Sequence, residues 1–427
     1  MAPQSWLPEA NLPTADFPLT HLPYGAVEVH GQQHLCVAIG THLLDLYALA
    51  EANLLPTHLH PACQSPTLNA LLTQGHQAWT HLRQTLTTLL AADAPHRTLT
   101  EAALHSIAGA TLLKPIDIPN YTDFYASIHH ATRVGLLFRP DQPLLPNYKH
   151  IPIGYHGRAS SIAVSGTPVI RPTGQTRPST PSDQPSFIPT NALDYELELA
   201  LYIGQSNPQG TPIPIEQAPH YIFGISLLND WSARDLQSWE YQPLGPFLAK
   251  NFATTISPWI TPLAALEPFR ASATPRPSDD PKLLPYLHSK ADQTHGALNL
   301  KLEVFLSTQT MRDNKLPPFQ LSQSNPKDLY WTPAQLVTHH TSNGCNLQIG
   351  DILATGTISG PSDASAGCLL ELTRNGSVPI TLPTGESRTF LLDGDEIILR
   401  AHCDAPGHPR IGLGECRATI LPARSSL

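Results

Sequence analysis

The sequence predicts an α+β protein, predominantly β, divided near residue 118 into a smaller N-terminal unit (1–118) and a larger C-terminal body (119–427). Three observations carry this reading. The 427 residues hold 44 prolines against 26 glycines, punctuation that favours short elements and loops over long helical arrays. Apolar residues alternate along 193–203 and 298–306, the period of a strand. Composition changes across the Pro-bounded connection 112–119, and the length allows two cores or one large body with an appendage.

Charge narrows the function classes. Charged residues make up 14% of the chain, apolar ones 41%, and the net charge is -9, so no basic face is offered to nucleic acid. An acidic surplus can instead gather around a cation. Six cysteines are scattered without a CxxC pair, which suits a reducing compartment and a cytoplasmic protein. No leader-like start and no run of membrane length is read. The final Ser425-Ser426-Leu427 lacks the basic middle residue of a peroxisomal signal and is read as chance.

In the first unit, short apolar runs (Ala26–Val29, Leu35–Ile39) precede two helical stretches. The clearer one starts at Ser65 with Pro66 at its first position, and Leu68, Leu71, Leu72, Trp79, Leu82, Leu86, Leu89 and Leu90 keep helical spacing. His58, His60 and Cys63 lack a second cluster to complete a zinc site and are read as loop residues. Asn120 caps a predicted helix running to about Arg133, in which Asp123 and His130, seven residues apart, share a face. Residues 154–158 (Gly-Tyr-His-Gly-Arg) form a binding loop or tight turn with Tyr155 as its recognition element.

After a Pro-rich stretch, 171–189, comes the clearest strand. Period two puts Asp194, Glu196 and Glu198 together on one face of it. The apolar strand 221–228 leads into Asp230 and a helix predicted from Trp231, where Arg234, Gln237 and Tyr241 at i, i+3 and i+7 form either a solvated face or a functional one. Lys250 follows the next turn. Residues 266–295 read as a surface excursion. Asn375-Gly376 and Asp393-Gly394 read as hairpin turns, with Glu371 in the strand leading to the first, either facing outward or held by a partner.

Same-face carboxylates two apart on a strand lie about 6 to 7 Å apart at the backbone. Glu196 and Glu198, with Asp123 and Asp230, offer oxygen donors that favour a hard divalent cation, calcium, magnesium or manganese, over zinc. Phosphate-loop, dinucleotide and nucleophile-elbow motifs are missing, and the serine of Gly356-Thr-Ile-Ser-Gly360 sits one position late for an elbow. What remains, a metal site with a histidine base and clustered donors, suits carbonyl activation followed by attack of water.

These residues lie in motifs that include Tyr121-Thr-Asp-Phe-Tyr125, His130-Ala131, Asp194-Tyr-Glu-Leu-Glu198, Asn229-Asp-Trp-Ser-Ala-Arg-Asp235, Pro243-Leu-Gly-Pro-Phe247, Asn343-Gly-Cys-Asn346 and Asp393-Gly-Asp-Glu396. Together they resemble the fumarylacetoacetate hydrolase family along essentially the whole chain. The resemblance implies a small N-terminal SH3-like barrel domain with helices, a C-terminal mixed β-roll catalytic domain and a homodimer. It further implies metal-dependent hydrolysis of a carbon–carbon bond in a diketo acid, giving fumarate and acetoacetate. By matching position, Asp123, Glu196, Glu198 and Asp230 would bind Ca2+ or Mg2+, with Lys250 and Thr254 bordering a second, magnesium site. His130, oriented by Glu371, would activate water. Arg234, Gln237 and Lys250 would stabilise the oxyanion and carbanion, while Tyr125, Arg139, Tyr155, Gln237, Tyr241 and Thr357 would position the substrate. Two other readings stay open: a short-chain acylpyruvate hydrolase or decarboxylase on the same scaffold, and a non-enzymatic metal-binding protein. Ala253, Asn251 and the long excursion 266–295 depart from the family pattern.

Overall fold

A computed structural model describes residues 3–178, 180 and 182–424; the terminal Ser425-Ser426-Leu427 lies outside them. Strand outweighs helix, about 29% against 25%, in a mixed α/β architecture with an N-terminal β domain and a C-terminal half-barrel sheet. Near the N-terminus, five strands pair antiparallel in the order Leu104–Ser106, His42–Asp45, Gln32–Ile39, Tyr24–Val29 and Leu112–Leu113. The last of these falls in the segment read from sequence as a plain connection. The long helix expected from Ser65 is instead two pieces, Asn69–Leu72 and Gly75–Leu90. Gly75, at φ 80°, takes the left-handed conformation that a continuous helix excludes.

The central feature is a curved sheet whose main path runs Gly154–His156, Tyr121–Phe124, Ile352–Ala354, Leu197–Ile203, Ile222–Asp230, Thr254–Ile256 and Ile162–Val164. Both its faces are covered. Leu197, Leu199, Leu201, Ile225 and Leu227 pack with Leu302, Val304, Leu306, Ile397 and Leu399 of a second, five-stranded sheet. Ala200, Tyr202, Phe223 and Ile352 pack on the other side with Trp79, Leu82 and Leu86 of the N-terminal helix. A strand covered on both sides has no solvent face, and every residue of Leu197–Ile203 and Ile222–Asp230 is buried.

Several local expectations change. Asp123 is not on a helix: Tyr121–Phe124 is a strand parallel to Ile352–Ala354, with Asp123 opposite Ala354. The helix begins afterwards, at Ile128–Phe138, capped by the Ser127 hydroxyl accepting from the His130 N–H at 3.2 Å. The run 193–203 is interrupted, since Leu193–Asp194 pairs with Ser232–Ala233 while Leu197–Ile203 pairs with Ile222–Asp230. The helix predicted from Trp231 starts at Arg234, because Trp231 is committed to the core and donates its indole N–H to Thr255 Oγ1 at 2.9 Å. Glu371 lies in a helical turn, Leu369–Leu372, and Asn375-Gly376 closes that turn rather than a hairpin. Asp393-Gly394 likewise leads into Glu396–Ala405, whose hairpin partner His408–Leu421 follows Pro406-Gly407. The excursion is not free surface chain: Arg276 lies 4.3 Å from the Tyr330 ring centroid and 4.6 Å from that of Trp331.

One buried histidine joins the N-terminal segment to the large sheet. His21 is fully buried, with Nδ1 at 2.9 Å from the Asp16 carbonyl oxygen and Nε2 at 2.9 Å from Thr261 Oγ1. Burial, opposed by the Asp16 hydrogen bond and aided by Arg83, lowers its pKa from 6.5 to about 3. A neutral histidine of this kind contributes stability that is present above pH 6.5 and is lost as pH falls toward 3, at about 1.4 kcal/mol per pH unit. Denaturant unfolding should therefore show wild type losing stability across that window more steeply than His21→Gln. An equal slope for the two proteins would disprove the assignment.

Candidate active and metal site

Sheet register builds the first cluster. Asp123 lies opposite Ala354, Ala354 opposite Ala200, Glu198 opposite Leu228 and Asp230 opposite Thr254, so neighbouring strands deliver their carboxylates to one end of the sheet. Asp123, Glu196, Glu198 and Asp230 each offer an oxygen, all within 4.8 Å of one another, and all four residues are buried. Glu198 is turned in by the chain around Gly356, whose N–H donates to its Oε2 at 3.1 Å. Only glycine fits there: φ is 73°, and a Cβ would stand 2.1 Å from the Phe124 carbonyl oxygen.

Cations from the next segment balance part of this charge. Lys250 Nζ donates to Glu196 Oε2 at 2.5 Å and to Asp230 Oδ2 at 2.8 Å. Arg234 donates from Nε to Asp194 Oδ2 at 2.9 Å and from Nη1 to Glu196 Oε1 at 2.7 Å and Gln237 Oε1 at 3.2 Å. Thr254 Oγ1 donates to Asp230 Oδ1 at 3.1 Å, and the Tyr155 hydroxyl to Asp230 Oδ2 at 3.0 Å. Asp194, the third member of the acidic run, faces Arg234 and the N–H groups of Leu369 and Leu370 instead of joining the cluster.

The cations do not neutralise the whole set. Burial would push Glu196 up, yet Lys250, Arg234 and His130 hold it well below the usual range. Asp123 is pushed up to about 8, by burial first and then by Asp230. Glu198 and Asp230 are also raised, by burial before anything else, with Glu196 among the charges that oppose their ionisation. Asp123 Oδ1 and Glu198 Oε1 are buried without a hydrogen-bond partner among the described residues. Buried anionic oxygens without a partner require a proton or a cation. An all-oxygen set with two unpartnered atoms fits a divalent metal ion, and these residues could hold one.

The second cluster is a dyad. His130 Nδ1 lies 2.6 Å from Glu371 Oε1. Burial would raise Glu371, but His130, Ser359 and Arg133 outweigh it and bring its pKa to about 2. An ionised Glu371 accepts, so Nδ1 carries the proton and Nε2 is left as the basic nitrogen. The Tyr125 ring stands edge-on to His130, with centroids 5.3 Å apart. Burial first, and then the charges of Glu371 and Glu196, raise the pKa of the Tyr125 hydroxyl, with Arg139 opposing them.

Two expected residues make no hydrogen bond to either cluster among the described residues. Tyr241 follows the helix Arg234–Glu240, is 37% exposed and meets Gln242 through its hydroxyl. Thr357 is buried, its methyl side against Gly367. Conversely, sequence reasoning missed four groups that touch the site. Ser359 donates to Glu371 Oε1 at 2.7 Å, Cys368 Sγ lies 3.3 Å from the same atom, and Arg133 reaches Oε2 at 3.1 Å. Tyr121 has a buried hydroxyl without a partner among the described residues, and its pKa is raised by burial first and then by Asp230, Asp123 and Glu198. For Arg133 a signal existed, since it stands three residues after His130 on one helix.

Comparison with known proteins agrees with this architecture. The Fumarylacetoacetase N-terminal model matches residues 20–115, and the Fumarylacetoacetate (FAA) hydrolase C-terminal model matches 120–421. The chain is 46% identical over 431 residues to fumarylacetoacetase of Bos taurus, covering 99% of each chain. It is 44% identical over 429 residues to that of Homo sapiens, covering 98% of this chain and 99% of that one. Among solved structures, a fumarylacetoacetate hydrolase from psychrophilic Exiguobacterium antarcticum aligns at TM-score 0.52 and 18% identity, covering 94% of this chain and 100% of that one, a likeness of fold. With both halves matched and the full-length relatives so similar, the chain belongs to the fumarylacetoacetase family of hydrolases.

Proposed function

We propose that the chain hydrolyses the carbon–carbon bond of 4-fumarylacetoacetate to fumarate and acetoacetate, the last step of tyrosine and phenylalanine catabolism. The observation that carries the reading is a buried four-carboxylate cluster tied to the segment that bears the His130–Glu371 dyad: Arg234 bonds both Glu196 and Asp194, and Asp194 accepts from the N–H groups of Leu369 and Leu370, the residues just before Glu371. Asp123, Glu196, Glu198 and Asp230 would hold a calcium or magnesium ion, which when bound would supply Lewis-acid polarisation of the diketo group. Lys250 and Thr254, both bonded to Asp230, would border a second magnesium position.

His130 Nε2 takes a proton from water as the water oxygen bonds to the carbonyl carbon of the fumaryl group, which becomes the new carboxyl of fumarate. Glu371 holds the ring and accepts from Nδ1 throughout. The tetrahedral adduct then breaks its bond to the acetoacetate carbon, which leaves with the electron pair and takes up a proton. Arg234, Gln237 and Lys250 face the negative charge that appears on the adduct and on the leaving fragment, a contribution of about 10²- to 10³-fold for a single donor. Tyr125, Arg139, Tyr155, Tyr241 and Thr357 position the diketo acid.

A homodimer in the cytoplasm completes the reading. Support for the first comes from the apolar side chains left in solvent, Leu244 at 95%, Phe247 at 66% and Phe187 at 65% exposure. Six free cysteines fit a reducing compartment. Among the described residues no helix is long and apolar enough to cross a membrane. The test is spectrophotometric: purified protein should remove the fumarylacetoacetate absorbance, stop doing so in EDTA, and resume with calcium or magnesium. Preferential turnover of a short acylpyruvate, or activity untouched by EDTA, would overturn the proposal.

A further inference from the structure

The Glu371 carboxylate is not held by His130 alone. Its Oε1 accepts from three groups, His130 Nδ1, Ser359 Oγ at 2.7 Å and Cys368 Sγ at 3.3 Å, whereas its Oε2 accepts from Arg133 Nη1 at 3.1 Å. Among the described residues that guanidinium is the one recorded partner of Oε2, and Glu371 has a fully buried side chain. The other guanidinium nitrogen, Nη2, donates to the carbonyls of Gly360 at 2.9 Å and Ser362 at 2.8 Å. A single planar cation thus fastens the dyad carboxylate to the chain segment that carries Thr357 and Ser359.

Arg133 and His130 are three residues apart on the helix Ile128–Phe138, so the base and the cation that steadies its partner rise from one face of one rigid element. A carboxylate gripped at one oxygen can pivot about its side-chain torsions; gripped at both, it has a fixed plane. An arginine suits this, because its fork supplies several donors in set directions, whereas lysine presents a point charge.

We infer that Arg133 is a positioning residue for the hydrolytic reaction: by bridging Glu371 to the 360–362 carbonyls it fixes the carboxylate that orients His130. The inference rests on the function proposed above, yet it concerns the geometry of the dyad and can be tested apart from turnover. Arg133 donates to Glu371 and to the Gly360 and Ser362 carbonyls and, among the described residues, to none of the four clustered carboxylates; it acts through Glu371. The other titratable or charged groups facing the dyad are Tyr125, His129, Tyr195, Cys368 and Glu196.

Two readouts test it in the full-length, metal-loaded protein. In steady-state kinetics Arg133→Gln should lower kcat about tenfold or more, with KM changed less than about threefold, since an interaction serving the chemical step is removed and not one serving binding. Removing a cation beside Glu371 lets the dyad hold its proton more tightly, so the acid limb of the pH–rate profile should move to higher pH. Arg133→Lys should recover part of kcat, and guanidinium ion added to Arg133→Ala should recover part as well, the native side chain being 20% exposed. Independently of any substrate, the downfield proton resonance of the short His130–Glu371 hydrogen bond should shift or broaden in Arg133→Gln. Wild-type kcat with an unmoved pH profile in Arg133→Gln would overturn the inference. So would a loss of kcat matched by lost folded protein, with no pH shift and no rescue. If wild type itself did not cleave fumarylacetoacetate, the proton resonance would still decide the role of Arg133, and an unchanged resonance would reject it.

Discussion

Replacing His130 by glutamine is expected to lower turnover of fumarylacetoacetate by about 10²- to 10⁴-fold, the range a positioned general base contributes, with little change in the affinity for metal. Glutamine keeps a side chain of similar reach but has no nitrogen that can take a proton. The substitution also strands Glu371, since that carboxylate loses the shortest of its contacts, 2.6 Å, while Ser359, Cys368 and Arg133 still hold it. Stability should therefore fall modestly. The pairing leaves a second signature. Glu371 sits at about 2 in the folded protein against 4.5 ordinarily, so it contributes stability that is present above pH 4.5 and disappears as pH falls toward 2. Part of that acid-sensitive stability should be missing in His130→Gln. Comparing single-turnover rates and acid unfolding of the two proteins checks both statements, and a variant that turns over at the wild-type rate would remove His130 from the chemistry.

How far the site was legible in the sequence depends on what each residue needs. Glu196 and Glu198 are two positions apart, and period two grouped them with Asp194; Glu196 falls in the break between Leu193–Asp194 and Leu197–Ile203, and Asp194 on the far side of that break faces Arg234 instead. Asp123 and His130 were matched by a wrong route: their spacing of seven suggested a helix face, whereas the structure puts Asp123 on a strand and His130 on the helix that follows, and sheet register brings the former to the carboxylate cluster. Neighbouring strands 121–124, 352–354, 197–203 and 222–230 are far apart in sequence, and periodicity carries no information about their order. The same limit hid Arg133, Ser359 and Cys368. Each meets Glu371 across a contact that depends on how the segment 356–372 folds back on the helix. Arg133 alone had a local cue. Glu371 itself was read as outward-facing or partnered, and the buried alternative holds because a cation and three other donors were available to it. Hairpin signals failed for a related reason: Asn375-Gly376 supplies positive φ, but a helix end requires that conformation as readily as a hairpin does.

The other large effect concerns the cluster of four carboxylates and its cation. In the metal-free protein Asp123 is pushed up to about 8, and Glu198 and Asp230 are raised with it. An acid raised in the folded state favours folding while it keeps its proton, so its contribution is complete at low pH and is lost as pH climbs from the ordinary carboxylate range, 3.8 for Asp123, toward 8. A divalent cation requires the same groups deprotonated, and its stabilising effect must grow over the same window. Calorimetry in calcium or magnesium against EDTA should show a rise in Tm that widens between pH 5 and pH 8, reaching about 2.7 kcal/mol of added stability at a hundredfold excess over Kd. Glu198→Gln sharpens the test. It removes an acid whose own pKa is raised by burial and then by Asp123, Asp230 and Glu196, and with it one of the two unpartnered oxygens, so the metal-free variant should tolerate alkaline pH better than metal-free wild type. The same change takes away a ligand, so the metal-induced rise in Tm should shrink and turnover should fall at least about a hundredfold, as when a developing charge loses its principal electrostatic support. A variant that gained stability without metal and kept the full metal-induced rise would show that the ion sits elsewhere.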